Sequence, residues 1–217
     1  YVPNHSSIFN EVQKVKPGSY IEFDLKEKSI SSKENVYWDY KEEALNRMNV
    51  SNESVSSNHF FEAKDKLSTI LESKIKSTMV SDVPLGAFLS GGYDSSCVVG
   101  FMQKNSMKKI KTFSIGFNDA QFNEAEHAKD ISSHLGTDHE ELYVSKQDLL
   151  ETIASLPTIY SEPFADSSQI PTILLSKLTK SKVTVSLSGD GGDELFGGYG
   201  KYFLGERLKR SVGLAPE

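Results

Sequence analysis

The 217-residue sequence has a single cysteine, Cys97. That excludes an internal disulfide, a cysteine-based zinc cluster and a redox CxxC pair, and it agrees with a reducing compartment. Positive charge is not in excess either: 24 Lys plus Arg stand against 30 Asp plus Glu, for a net charge of −6. No global basic field is present to attract nucleic acid, so duplex DNA is not an expected partner. No stretch approaches the roughly 18 apolar residues of a membrane span and no signal-peptide pattern opens the chain, so the expectation is a cytoplasmic protein with no membrane partner. Internal repeats are absent, and low complexity is confined to one Ser/Asn-rich tract. The remaining composition, 37% hydrophobic and 25% charged, is that of a globular protein with enough apolar mass to bury a core. Because the chain opens on Tyr1 rather than Met and ends SVGLAPE without a terminating element, it is expected to be a piece of a longer protein.

Residues 1–40 are rich in Tyr, Val, Ile and Phe. Within them SYIEFDL alternates apolar and polar side chains, which predicts a half-buried strand, and a second short strand is expected at Val36 to Trp38. Residues 41–57, containing RMNVSNESVSSN, are polar and aperiodic and read as a linker. From His59 to Val80 the residues Phe60, Ala63, Leu67, Ile70, Leu71, Ile75 and Met79 recur at three- and four-residue steps, predicting a helix that covers a sheet. Strand and helix signals then alternate. Strands are predicted at 83–89, 110–117, 140–144 and 183–187, with helices at 94–104, 147–156 and 169–180. A further helix over NEAEHAKDISSHLG is predicted to be capped by Asn123 with Glu126 reciprocating, and to stop at Gly136. Alternation of this kind predicts an α/β fold, a parallel sheet covered by helices on both faces, with ligands bound beyond the carboxyl ends of the strands.

Two glycine-containing segments follow two of these strands directly: LSGGYDSS after VPLGAF, and SLSGDGGDELFGGY after VTVSL. In the first, Gly91 and Gly92 allow a sharp turn that presents successive N–H groups to an oxyanion, with Ser90, Ser95 and Ser96 as hydroxyl donors and a helix N-terminus behind them. The pattern is neither the Lys-containing P-loop nor G-x-G-x-x-G. With no lysine present, Asp94 beside a polyphosphate would be repelled by about 4 kcal/mol for unit charges 4 Å apart at an effective dielectric of 20. A divalent cation removes that penalty. Mg²⁺ typically takes one or two carboxylates plus substrate phosphates, so Asp94 is expected to be a metal ligand, and the second loop offers Asp190, Asp193 and Glu194 as its companion. Asp193 is the expected one.

SGGYDSS resembles the SGGxDS pyrophosphate loop of the ATP pyrophosphatases. Paired with SLSGDGGDELFGGY, it is similar to the synthetase domain of the glutamine-dependent asparagine synthetases. SIGF and HLGTDHEELYV extend the likeness, and YVPNHSSIFNEVQKVKPGSYIEFDL resembles the segment that closes the family's glutaminase domain. The resemblance implies an ATP pyrophosphatase-like core (adenine nucleotide alpha hydrolase-like) over residues 58–217. The β remnant of a glutaminase domain would occupy 1–40, and the linker 41–57. It implies Asp94 and Asp193 as Mg²⁺ ligands and catalytic residues, with Ser90, Gly91, Gly92, Ser95 and Ser96 as the pyrophosphate cradle. Phe88, Ile115, Ser188 and Gly189 would lie at the adenosine. The implied substrates are ATP, aspartate or another carboxylate, and ammonia from glutamine. An aspartyl adenylate would form with release of pyrophosphate, and ammonia would then displace AMP. A homodimer is implied for the full-length protein. The family's nucleophilic N-terminal cysteine is not among these residues, and the family's later lysine falls beyond Glu217, so the piece alone is expected to be inactive. Asp190 stands where some members have Glu, and Tyr93 fills the loop's variable position. Alternatives are a β-lactam-forming relative and a non-catalytic nucleotide-binding module.

Several residues have plainer readings. Cys97 is expected to be a small buried residue behind the loop. His134 and His139 flank the helix end at Gly136, where a favourable dipole interaction explains them. Phe196 and the aromatics from Tyr199 to Tyr202 are expected to pack.

Overall fold

The computed structural model describes residues 2–3, 5–25, 31–48, 57–117 and 124–212. Asn123, the predicted cap, and most of the Ser/Asn-rich tract lie outside them. The chain divides into two compact units: residues Tyr1–Lys64 with Ala154–Ser167, and residues Asp65–Ile153 with Ser168–Glu217. The first therefore contains a segment, 154–167, that nothing in the sequence groups with the N-terminus.

In the first unit, β1 (Ser19–Asp24) and β2 (Ser31–Val36) form an antiparallel pair. Tyr37 and Trp38 do not extend β2 as predicted, because both of their N–H groups donate to the carbonyl of Gly18. Nor is β1 half-buried. Tyr20 and Phe23, on opposite faces, are 53% and 59% exposed, because two strands satisfy each other's backbone but supply no second layer. The polar stretch after Trp38 opens with a helix, α1 (Tyr40–Met48). Asp39 starts it by accepting the Glu42 N–H at 2.9 Å, and Glu42 and Glu43 favour its positive N-terminal end.

The second unit is an α/β layer structure. After α2 (Ser57–Thr78) come β3 (Leu85–Phe88), α3 (Tyr93–Lys104), β4 (Lys111–Phe117), α4 (Ala125–Leu135) and β5 (Asp138–Val144). They are followed by α5 (Lys146–Ile159), whose residues from Ala154 on belong to the first unit, and by α6 (Gln169–Lys180), β6 (Val185–Leu187), α7 (Gly192–Phe196) and α8 (Gly200–Val212). The four strands are parallel, in the order β5-β4-β3-β6. All four predicted strands form, and Gly136 stops α4 in the left-handed conformation, as expected.

Ala87 of β3 lies beside Thr112 and Leu187, and this sheet face meets Ile75 of α2, Val99 and Met102 of α3, and Ala128 of α4. Side chains alternate along a strand, so Gly86 and the fully buried Phe113 point to the other side, where α6 packs on β4. Only the last turns of α2 join this core. Phe60 and Ile70 of its predicted buried stripe are 60% and 47% exposed.

His139 is placed differently from its predicted role. It stands on β5, between two strand hydroxyls: its Nδ1 is 2.9 Å from Thr112 Oγ1 and its Nε2 is 3.2 Å from Ser114 Oγ. Thr112 also meets Thr137, whose hydroxyl donates to Ser132. Burial disfavours the charged ring and lowers its pKa. Glu141 opposes the shift, Lys129 adds to it, and a backbone hydrogen bond with Thr112 opposes it. An unfolded imidazole takes up a proton as pH falls through about 6.5, whereas the folded one resists. Stability present above that pH is therefore lost as pH drops towards the depressed folded value. We expect the urea midpoint to fall between about pH 7.5 and about pH 5.5, and His139→Gln to flatten that fall.

Candidate functional site

The two glycine loops leave neighbouring strands. Ala87 of β3 and Leu187 of β6 are paired, so residues 89–92 and 188–191 emerge side by side at the carboxyl end of the sheet. The next strand after β3 in sequence, β4, lies on β3's other side. The chain thus reverses its direction of winding between β3 and its neighbours, and such a point leaves an open crevice.

The first loop is built by its own hydroxyls. Ser95, which is buried, places Oγ 2.9 Å from Ser90 Oγ and 3.3 Å from the Gly92 carbonyl, and accepts the Ser90 N–H at 3.2 Å. The Gly92 N–H donates to Ser90 Oγ at 3.3 Å. The predicted donor hydroxyl of Ser95 is therefore engaged in closing the turn. Ser96 differs: its Oγ is buried with no hydrogen-bond partner, an arrangement that costs about 1–3 kcal/mol when no ligand or water meets it. Gly91 adopts φ +83°, and a Cβ there would lie 2.8 Å from both the Ala128 nitrogen and His127 Cβ, so the loop rests on the first turn of α4. Sequence reasoning missed this support, because nothing in NEAEHAKD marks it as a loop-bearing surface. Tyr93, at the variable position, is 96% exposed.

The second loop closes on the first. A Cβ at Gly189 would sit 2.7 Å from the Ser95 nitrogen, and one at Gly192 would sit 2.5 Å from Asp94 Oδ2. Both positions admit only glycine without movement, and the reason is the Asp94 backbone and carboxylate pressed against them. Asp193 is the next residue after Gly192. Its carboxylate lies against Gly198. Ser188 Oγ donates to Asp190 Oδ2 at 3.0 Å and accepts the Asp190 N–H at 3.4 Å. Glu194 accepts a 2.7 Å hydrogen bond from the Tyr199 hydroxyl. Phe88 and Ile115 are partly buried and share one sheet face: Phe88 pairs with Phe113, and Ile115 lies two residues beyond it on β4.

Chemically, this is a surface of oxygen donors and backbone N–H groups. Asp94, Asp190, Asp193 and Glu194 supply carboxylates, and neither loop contains a lysine or arginine. Among the described residues, no three His, Cys, Asp or Glu side chains are arranged to hold a metal by themselves. Cys97 is exposed rather than buried as predicted, because it faces away from the α3 residues in the core. What burial it has, and then the charge of Asp94, push its thiol up, so it stays protonated and unreactive.

The sequence model of the asparagine synthase family matches residues 66–215. The chain belongs to the asparagine synthase family. Among this family's relatives, a provisionally named glutamine-hydrolysing asparagine synthetase of Methanocaldococcus jannaschii is 37% identical over 96% of this chain and 38% of its own length. Asparagine synthetase [glutamine-hydrolyzing] 1 of Bacillus subtilis is 41% identical over 57% of this chain and 20% of its own. The chain thus spans well under half the length of these relatives. Among solved structures, the ammonia-dependent NAD synthetase of Campylobacter jejuni overlaps 63% of this chain and 60% of its own at 16% identity. Its TM-score of 0.44 is too low to carry a conclusion. No described helix is long and apolar enough to cross a membrane.

Proposed function

We propose that this chain is the nucleotide-activating part of a glutamine-dependent asparagine synthetase, acting in the cytoplasm. In this reading Asp94 and Asp193 hold Mg²⁺, and the loop from Ser90 to Ser96 cradles the pyrophosphate of ATP. Phe88, Ile115, Ser188 and Gly189 line the adenosine. The observation that carries it is the contact of the Asp94 carboxylate with Gly192, immediately before Asp193, at the mouths of adjacent parallel strands. The fit is chemical as well. Hard oxygen donors suit Mg²⁺, which would take one or two of these carboxylates together with substrate phosphates and waters, and Ser96 offers a hydroxyl that lacks a partner. Bound there, Mg²⁺ would neutralise the charge that develops on departing pyrophosphate. The protein's own part is to hold the three phosphates still between two rigid loops, with the helix α3 directing its positive end at them.

The substrate carboxylate attacks the α-phosphorus, its bond to the bridging oxygen breaks, and pyrophosphate leaves. Ammonia then attacks the acyl carbon, the bond from that carbon to the AMP oxygen breaks, a proton leaves the nitrogen, and the amide remains. Because the first step is reversible, labelled pyrophosphate should enter ATP in the intact protein when aspartate is present and ammonia is withheld. Exchange supported by a different carboxylate and not by aspartate moves the chain to a sister activity on the same adenylating chemistry. No exchange with any carboxylate, despite Mg²⁺-dependent ATP binding, leaves the non-catalytic module. A homodimer is part of the same proposal for the whole protein.

A further inference from the structure

We infer that Tyr199 is a positioning residue for Asp193, holding the metal-facing carboxylate in place through Glu194. The inference rests on the reading that Asp193 is a Mg²⁺ ligand. It starts from the shortness of α7. Five residues cannot sustain a helix on their own hydrogen bonds, so the direction of Asp193 within it has to be set from outside. The chain supplies that restraint by folding back. Gly197 turns left-handed at φ +70°, and the Gly198 N–H donates to the Asp193 carbonyl at 3.0 Å. This lays the Gly198 backbone against the Asp193 carboxylate so closely that a Cβ would overlap Oδ1.

Tyr199 then closes the loop, its hydroxyl 2.7 Å from Glu194 Oε1, one residue from Asp193. Its ring is held in turn: Lys201 Nζ lies 4.2 Å from the ring centroid, and Tyr202 meets it at 5.8 Å. The aromatics here are therefore not core packing, as the sequence predicts. Leu195 and Phe196 beside them are 72% and 57% exposed. Hydrogen bonding to Glu194 raises the Tyr199 pKa to about 12, so the phenol remains a donor throughout the physiological range.

The test is calorimetry of pyrophosphate binding to the intact protein, with Mg²⁺ and with EDTA. Tyr199→Phe keeps the ring and its lysine and removes one hydroxyl. It is expected to weaken Mg²⁺-dependent binding by about 5- to 10-fold, with binding in EDTA and the melting temperature unchanged. Glu194→Gln retains an acceptor oxygen but loses the charge and should fall between the wild type and Tyr199→Phe, while Glu194→Ala should reproduce Tyr199→Phe. Equal weakening with and without Mg²⁺ would reduce Tyr199 to a fold residue, and wild-type affinity in Tyr199→Phe would end the inference outright. If the wild type itself shows no Mg²⁺-dependent binding, the failure belongs to the metal reading of Asp94 and Asp193 instead.

Discussion

Asp94→Asn is expected to abolish most of the Mg²⁺-dependent affinity for ATP, raising Kd by about 100-fold, or about 2.8 kcal/mol. Asparagine has the shape of aspartate, so the packing against Gly192 and Gly189 is kept, and only the charge is lost. A single opposite-charge interaction at 4 Å is worth about 4 kcal/mol at an effective dielectric of 20, and water filling the vacated position returns part of it. The cleanest measurement is titration of ATP with Mg²⁺ and again with EDTA. Without the metal, Asp94 repels the phosphates, so the variant should bind ATP as well as the wild type or slightly better. Equal Mg²⁺-dependent affinities in the two proteins would remove Asp94 from the metal and leave it as a first-turn helix residue.

The second large effect concerns stability. Gly91→Ala places a Cβ at φ +83°, which costs an L residue about 1–2 kcal/mol, and drives it to 2.8 Å from the Ala128 nitrogen. Crowding against a backbone atom adds about 1–3 kcal/mol, because α4 has to shift as a unit. A total of about 3 kcal/mol should lower the melting temperature by roughly 10 °C in a protein of this size. Gly136 provides the internal comparison. Its φ is +73°, nearly the same, yet nothing lies within 4 Å of its added Cβ, so Gly136→Ala should cost only about 1 kcal/mol. If the two variants melt alike, the contact between the first loop and α4 carries no weight.

The alternation of strand and helix in the second unit, the stop at Gly136 and the positions of both glycine loops could all be read from the chain. Each depends on neighbours a few residues away: the period of apolar side chains, a turn that needs glycine, and Ser-Gly-Gly placed after an apolar run. The limits appear where burial depends on something distant. The stripe on α2 has the right period, yet half of it stays exposed, since periodicity gives a direction for a face and not what lies opposite. His139 looks like a residue near a helix end until Thr112 and Ser114 of β4 arrive beside it, twenty-five and more positions away in sequence. The exposed aromatics after Gly198 are misread for a related reason, because their partner is a charge, Glu194, rather than a core.

Sequence by itself marked out the residues proposed for this chemistry: the two loops, their glycines and their carboxylates. Only the tertiary structure decided that the loops meet, because pairing of β3 with β6, a hundred residues apart, is chosen by the packing of the whole sheet. It also decided which hydroxyls are engaged in the turn, and what holds Asp193. Those outcomes turn on distances of a few tenths of an ångström between segments whose approach no local pattern encodes.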